Sequence, residues 1–165
     1  MESQRLEYLR LTRIIDTPLE DRYEKYTRLL SRALNCAFAA VSFVDQEREW
    51  FKSVRGAVVS EIQADRSFGK LVIESSDDIV QAQNSSLGLG HVIAFDQPPV
   101  WLVGTPILIG GVHRIGALYV GLDHDLAARE DQEVLIDMAR SIKRDLAQTR
   151  YHHISQDPIR EAILC

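Results

Sequence analysis

Cysteine, glycine and proline are scarce in this sequence, and each shortage excludes a class of protein. The 165 residues include two cysteines, Cys36 and Cys165, too few and too far apart for a disulfide framework. Nine glycines and five prolines exclude a fibrous or low-complexity chain. The hydrophobic content of 45% therefore predicts an ordinary globular protein with a sizeable core.

Long apolar runs and an excess of positive charge are missing too. Charged residues interrupt even the apolar stretch at 92–122, so no window reaches the roughly 20 apolar residues that span a bilayer. The first residues are charged, which is unlike a secretory signal. A net charge of -5 disfavours binding to a phosphate backbone. We expect a soluble, cytoplasmic protein that binds neither membranes nor nucleic acid.

The spacing of apolar residues predicts one domain, at residues 1–150, and a tail at 151–165 that can form a short helix or a connector. Apolar residues three or four apart predict helices at 2–15, 17–35, 66–74 and 130–150. Alternating or continuous apolar runs predict strands at 36–44, 49–55, 78–82, 100–109 and 114–122. This order predicts an α+β domain, with an antiparallel sheet and helices packed on one face.

Two local patterns sharpen this prediction. Thr17 before Pro18, with Glu20 three residues after Thr17, predicts a helix start with a capping box. The glycines and prolines of residues 83–99 predict a long loop with at most one helical turn.

Several separated segments resemble one family. They read IIDTP at 14–18, VSFVD at 41–45, REWFKS at 48–53, GTPI at 104–107 and IGALYV at 115–120. In this order they resemble the GAF domains found at the N-termini of bacterial sensor kinases and diguanylate cyclases. The resemblance implies five to six antiparallel strands, terminal helices on one face and a ligand pocket on the other. It also implies a homodimer formed through those helices that signals to an output domain.

Three departures from the family's pattern stand out. Its helix after the first hairpin commonly reads Ser-Phe-Cys-x-x-x-Ile, whereas this chain has Gly69 in place of the cysteine. Residues 83–99 replace an element that relatives usually carry. Residues 155–159 faintly resemble the connector to a cyclase domain, so we expect either a stand-alone GAF protein with a vestigial connector or a piece of a longer protein, with no output chemistry encoded in these residues.

The resemblance places a set of candidate ligand-binding residues on the late strands, on the helix over the pocket, in the loop and on the second strand. They are Trp101, Tyr119, Ser67, Phe68, Lys70, His91 and Lys52. Aromatic rings with a polar edge suit a flat ligand, and a lysine beside an aromatic ring suits an anionic one. Ordinary core packing of the aromatic residues and a solvated Lys52 are the alternatives.

Catalytic and metal-binding patterns are absent from the sequence. His124 lies between two aspartates and His152 precedes His153, but neither group has matching ligands elsewhere. One GAF family reduces free methionine sulfoxide with several cysteines around its pocket, a pattern that Cys36 and Cys165 fit poorly. We therefore predict a non-enzymatic bacterial sensory or regulatory domain that binds a small organic molecule. The alternative is a dimerisation or protein-interaction module whose pocket is filled by side chains; the ligand and the output partner stay unidentified.

Overall fold

The helices and strands follow one another in the predicted order, with several short elements added. The computed structural model describes residues 2–89 and 92–151. The helices of these residues are α1 Glu2–Thr12, α2 Asp21–Ala33, α3 Phe68–Glu74, α4 Asn84–Leu87 and α5 Arg129–Tyr151. The strands are β1 Phe38–Val44, β2 Arg48–Arg55, β3 Ala57–Val58, β4 Glu61–Gln63, β5 Val80–Gln83, β6 Ala94–Phe95, β7 Trp101–Ile109 and β8 His113–Leu122.

A six-stranded antiparallel sheet organises the described residues. Its strand order is β4-β2-β1-β8-β7-β5, and β3 pairs with β6 in a separate two-stranded sheet. The predicted α+β class and the predicted sheet of five to six strands are confirmed. All seven residues of β1 are buried, as expected for an interior strand that is covered on both faces.

The two faces of the sheet carry separate apolar cores. On one face, which we call the helix face, α1, α2 and α5 pack against the sheet through inward residues such as Leu9, Leu30 and Ile142. On the other face, which we call the α3 face, α3 packs across β8, β7 and β1. Trp50 belongs to the helix-face core and Phe51 to the α3-face core, because successive residues of a strand point to opposite faces.

The predicted capping box at the start of α2 is wrong. The helix begins at Asp21, and Glu20 is its N-cap residue without a side-chain capping bond. Thr17 Oγ1 instead donates to Ile14 O, and it also accepts a hydrogen bond from Lys52 Nζ. The Thr17 hydroxyl group therefore binds the distant Lys52, whereas the local sequence pattern predicts that it caps α2.

The first helix is also shorter than predicted. It ends at Thr12, because Arg13 and Asp16 adopt left-handed backbone conformations with φ of 54° and 62°. The long loop at 83–99 contains α4, which matches the predicted helical turn, and the short strand β6. Residues 152–165, including the predicted tail helix and the His152 and His153 pair, lie outside the described residues. Within the described ranges, no helix has the length and apolar character that crossing a membrane requires.

Candidate functional site

A buried carboxylate lies on the α3 face, between the strands and α3. Glu49 of β2 and Tyr119 of β8 are both fully buried. Tyr119 Oη donates a hydrogen bond to Glu49 Oε1 at 2.7 Å. This bond ties β2 to β8 across the intervening strand β1.

Strand pairing directs Glu49 to this face. Its partner on β1 is Val44, and the next residue, Trp50, points to the helix face. Ser42, two residues before Val44, lies on the same side of β1 as Val44 because successive side chains alternate. The pairing register therefore brings two polar side chains together beneath α3.

The first turn of α3 leaves space for the carboxylate because it contains a glycine. A Cβ atom added at Gly69 would lie 1.8 Å from Glu49 Oε2 and 3.1 Å from Val44 Cγ2. Position 69 must therefore be glycine if Glu49 keeps this rotamer. We call Glu49, Tyr119, Ser42, Ser67 and Gly69 the carboxylate site.

Burial dominates the electrostatics of the carboxylate site. Loss of hydration raises the pKa of Glu49 from 4.5 to about 7. Hydrogen bonding from Tyr119, the Gly69 N–H, Ser42 and Ser67 opposes this rise in the pKa but does not cancel it. The pKa of Tyr119 is raised well above its usual value, first by burial and then by the neighbouring carboxylate. Glu49 consequently changes its charge near neutral pH.

Two oxygen atoms at the carboxylate site are buried without a hydrogen bond of normal geometry. Glu49 Oε2 and Ser42 Oγ have no hydrogen bond of normal geometry to any described residue. An unsatisfied buried polar group costs roughly 1–3 kcal/mol, and proteins retain few of them. Both oxygens lie close to polar neighbours all the same, since Ser42, Ser67 and the Gly69 N–H lower the pKa of Glu49 by hydrogen bonding.

Aromatic rings border the carboxylate site. The Tyr119 ring lies 5.0 Å from Phe68, 5.6 Å from Phe38 and 6.4 Å from Phe51, measured between ring centroids. The Phe68 contact has the edge-to-face geometry that aromatic pairs favour. The site thus combines one carboxylate with a set of aromatic side chains.

Three of the predicted ligand-binding residues meet at this place. Tyr119 and Phe68 are fully buried neighbours, and Ser67 caps α3 by accepting a hydrogen bond from Lys70 N at 3.0 Å. The Lys70 side chain is 39% exposed and lies 3.8 Å from Glu74 on the outer side of α3. The helix that carries Ser67, Phe68 and Lys70 covers the α3 face as predicted.

The structure separates two other predicted residues from this cluster. Trp101 pairs with Leu122, which belongs to the helix-face core, so its side chain lies on the opposite side of the sheet from Tyr119. Lys52 also points to the helix face, where its side chain is fully buried. His91 lies outside the described residues.

Lys52 is bound by the connection between α1 and α2. Its Nζ donates to Thr17 Oγ1 at 2.8 Å and to Pro18 O at 2.5 Å, and it lies 2.7 Å from Glu20 Oε2. Nζ also lies 5.3 Å from the centroid of the Tyr23 ring. The alternative of a solvated Lys52 is therefore wrong, because a loop of the protein itself supplies the acceptors.

Glu49 and Ser42 are site residues that no motif in the sequence indicates. The available signal was an acidic residue inside a strand pattern, directly before Trp50 and Phe51. Burial of that acid depends on the pairing with β1 and on the glycine at position 69, which lies twenty residues further along the chain. Strand alternation alone places its side chain on one face of the sheet without showing what covers it.

The described residues offer little for metal binding or thiol chemistry. They contain no group of three or more His, Cys, Asp or Glu side chains that could hold a metal ion. His124 is exposed and contacts the adjacent Asp123. Cys36 is buried, and burial raises the pKa of its thiol to about 11, which keeps the thiol protonated and weakly nucleophilic at neutral pH.

The Gly69→Ala substitution tests the steric fit at the carboxylate site. Alanine usually stabilises a helix by about 1 kcal/mol relative to glycine. Here the added Cβ meets Glu49 Oε2, so we expect a loss of about 2 kcal/mol in the free energy of unfolding, measured with urea. In a Glu49→Ala background the same substitution should cost much less. An equal cost in both backgrounds would contradict the proposed contact.

Solved structures share this architecture. The GAF domain of an Acinetobacter phosphoenolpyruvate-protein phosphotransferase matches 94% of this chain and 99% of its own length, with a TM-score of 0.64 and 16% identity. The phycoerythrobilin-bound GAF domain of a cyanobacterial phytochrome matches 93% and 98%, with a TM-score of 0.60 and 13% identity. The chain has the GAF fold. No family model and no curated protein matches its sequence.

The GAF fold also occurs in an enzyme. A free methionine-R-sulfoxide reductase from Neisseria meningitidis, solved with its substrate, matches 92% of this chain and 93% of its own length, with a TM-score of 0.63 and 14% identity. The GAF fold by itself therefore assigns no activity to this chain. The implied fold is confirmed, whereas the particular subfamily stays a prediction.

Proposed function

We propose that this chain is a non-enzymatic regulatory GAF domain that senses a small organic molecule at the carboxylate site. The supporting observation is Glu49, a fully buried carboxyl group that is hydrogen-bonded to Tyr119 and bordered by aromatic side chains. A core assembled only for stability would place an apolar side chain there, because burying a carboxyl group costs free energy even where hydrogen bonds offset part of the lost hydration. A ligand that satisfies this group offsets the cost and so favours the state that it binds.

Signal output follows from the position of the site in the sheet. Glu49 and Tyr119 lie on β2 and β8, strands whose opposite face contacts the helices α1, α2 and α5. A ligand shifts an equilibrium between two helix arrangements only when it binds one of them more tightly. We propose that the domain acts as a homodimer through its terminal helices and passes such a shift to a separate output protein.

A thermal-shift screen tests the sensory function. The library comprises nucleotides, cyclic nucleotides, amino acids, keto acids, tetrapyrroles and small amines. Ligand at 100 times its dissociation constant adds about 2.7 kcal/mol of stability, which raises the melting temperature by several degrees. We expect at least one reproducible ligand whose effect is lost in the Tyr119→Phe variant, since that variant lacks the hydroxyl group that holds Glu49.

Trp101→Ala is the matched control for this screen, because it removes an aromatic side chain on the other side of the sheet. The control should keep the ligand's effect. A screen without any hit, or hits that are insensitive to Tyr119→Phe, would contradict sensing at the carboxylate site.

A second candidate function is an interaction module with a filled pocket. The observation that favours it is the ring packing around Tyr119, in which Phe38, Phe51 and Phe68 are all at most 6% exposed. In that case the dimer itself is the functional unit. Sedimentation would then show a dimer, and no compound in the screen would change its stability.

A further inference from the structure

A cavity of about 590 Å³ opens to solvent beside α5, on the helix face of the sheet. We call it the α5 cavity. Its walls are α5 and the part of β7 that follows Gly104. The strand β5 pairs with β7 only at 101–104, so from Thr105 onward no strand of the described residues covers this edge of β7. The sheet therefore ends early beside α5 and leaves a cavity of the size that small molecules occupy.

Positive charge gathers in the α5 cavity. Arg140, Lys143 and Arg144 of α5 line it. Of the described residues in the lining, Asp78 is the one acid, so the lining side chains carry a formal excess of two positive charges. The whole chain has a net charge of -5. The α5 cavity is thus a positively charged place on an acidic protein, which favours an anionic ligand.

The acidic residues of α5 near these cations face elsewhere. Asp145 accepts a hydrogen bond from Tyr26 Oη at 2.5 Å and lies 3.7 Å from Lys25 Nζ, so its carboxylate belongs to the contact with α2. Asp137 lies 3.5 Å from Arg140 in an exposed pair, which is a weak kind of contact. Neither aspartate lines the α5 cavity. The helix therefore separates its acids from the bases that line the cavity.

Lys143 and Arg144 keep their charges available for a ligand. Within the described ranges neither forms an ion pair with a carboxylate, and Arg144 Nη2 donates to the neutral Ser141 Oγ at 2.8 Å. Guanidinium groups donate paired hydrogen bonds to phosphate oxygens, and an ammonium group adds a point charge. A phosphate monoester carries a charge of about -1.5 to -2 at pH 7, which matches the formal excess in the cavity. The charge therefore favours a phosphate over a singly charged carboxylate.

Apolar side chains form much of the remaining wall. Pro106 and Leu108 of β7 and Ile136 of α5 line the α5 cavity. Leu108 and Ile136 are half-buried, so a ligand can still remove apolar surface from water. Inorganic phosphate alone would leave this surface exposed. The cavity therefore favours a phosphate that is attached to an apolar body.

We propose that the α5 cavity binds a small organic phosphate monoester. The phosphate group contacts Arg140, Lys143 and Arg144, and the organic body packs against Leu108 and Ile136. The proposal does not depend on the carboxylate site, which lies on the other face of the sheet.

Calorimetry on the full chain at low salt tests the ligand class with four probes: benzyl phosphate, benzyl alcohol, benzylamine and inorganic phosphate. We expect benzyl phosphate to bind with a dissociation constant of about 1 mM or lower, a strength that a molecule of this size can reach. It should bind about tenfold or more tightly than each of the other three probes, because it alone combines the charge with the apolar body.

Substitutions on α5 locate the binding. Lys143→Gln and Arg144→Gln should each weaken the binding of benzyl phosphate about tenfold. Arg129→Gln is the matched control: it removes the same charge from the same helix, and Arg129 is 88% exposed, lies 3.2 Å from Glu133 and does not line the cavity. The control should keep the affinity, and Lys143→Arg, which keeps the charge, should retain most of it.

Sedimentation with vesicles distinguishes a free phosphate monoester from a lipid headgroup. Phosphatidylcholine vesicles that contain phosphatidic acid present the same group on an anionic surface, which repels a chain of net charge -5. We expect the chain to stay in solution. Co-sedimentation that is lost in Lys143→Gln and kept in Arg129→Gln would assign the cavity to a lipid headgroup and overturn the proposed small molecule.

Three further results would overturn the proposal. They are the absence of benzyl phosphate binding, binding no tighter than that of any other probe, and an equal loss of affinity in Arg129→Gln and Lys143→Gln. Sensing at the carboxylate site is tested separately by Tyr119→Phe, so it stands or falls independently of these results.

Discussion

Replacing Lys52 by methionine should remove about 3 kcal/mol from the free energy of unfolding. Methionine keeps most of the apolar stem but deletes the ammonium group that binds Thr17, Pro18 and Glu20. Removing one partner of a buried ion pair typically costs about 3–5 kcal/mol. The Glu20 side chain is 31% exposed and can regain water, so the lower end of that range applies.

Urea unfolding of the Lys52→Met variant measures this loss, and Lys70→Met provides the matched control. Lys70 is 39% exposed and lies 3.8 Å from Glu74, so its removal should change the stability by less than about 0.5 kcal/mol. If the two variants were equally stable, Lys52 would not be holding the connection between α1 and α2. Faster proteolysis within residues 13–20 of the Lys52→Met variant would localise the effect.

The stability of the protein should fall as the pH rises through neutrality because of Glu49. Its pKa is about 7 in the folded protein and 4.5 as the reference value for the unfolded chain. Between these values the folded state binds more protons than the unfolded state, so the free energy of unfolding decreases with rising pH. Glu49 contributes about 3 kcal/mol to the free energy of unfolding. This contribution is fully present below about pH 4.5 and is lost above about pH 7.

The difference between the unmodified chain and Glu49→Gln isolates this contribution. Glutamine does not titrate, so the variant should lack the Glu49 component and should become the more stable of the two above pH 7. Urea unfolding at several pH values between about 5 and 8 gives both curves. Glu47→Gln, at an exposed position, should follow the unmodified chain. Parallel curves for Glu49→Gln and the unmodified chain would show that Glu49 has an ordinary pKa.

Much of the sheet could be predicted from local patterns. Residues of β7 and β8 alternate or run continuously apolar around a short glycine-containing turn, and β1 is apolar on both sides. The helix α5 carries a regular apolar stripe that includes Leu135 and Ile142. These elements form because their apolar residues recur at short, regular intervals and become buried together. The sequence shows that recurrence directly.

Short elements and helix ends depend on distant residues and were missed. The strands β3 and β6 have two residues each and exist because they pair with one another. The start of α2 was misplaced because Thr17 is bound by Lys52, thirty-five residues away. Helix and strand propensities depend only on neighbours along the chain, so they do not show the effect of such a distant partner.

The candidate site can be predicted only in part, again because some of its features depend on distant residues. The family resemblance correctly places α3 over the sheet face that carries Tyr119, and Phe68 of α3 packs against the Tyr119 ring. A bulge in the pairing of β1 with β2 shifts the register between Val41 and Ser42 and leaves Lys52 without a partner residue. Simple alternation cannot show where such a bulge occurs, nor that a loop will cover the lysine.

The steric pairing of Glu49 with Gly69 restricts the order in which these two residues could have been acquired. Glutamate at position 49 beside any larger residue at 69 leaves the carboxylate without space, whereas glycine at 69 beside a smaller residue at 49 leaves only a cavity. The permitted evolutionary route therefore places the glycine first. We expect relatives that carry an acid at the position of Glu49 to carry glycine at the position of Gly69, so this pair of positions would mark them in sequence alone.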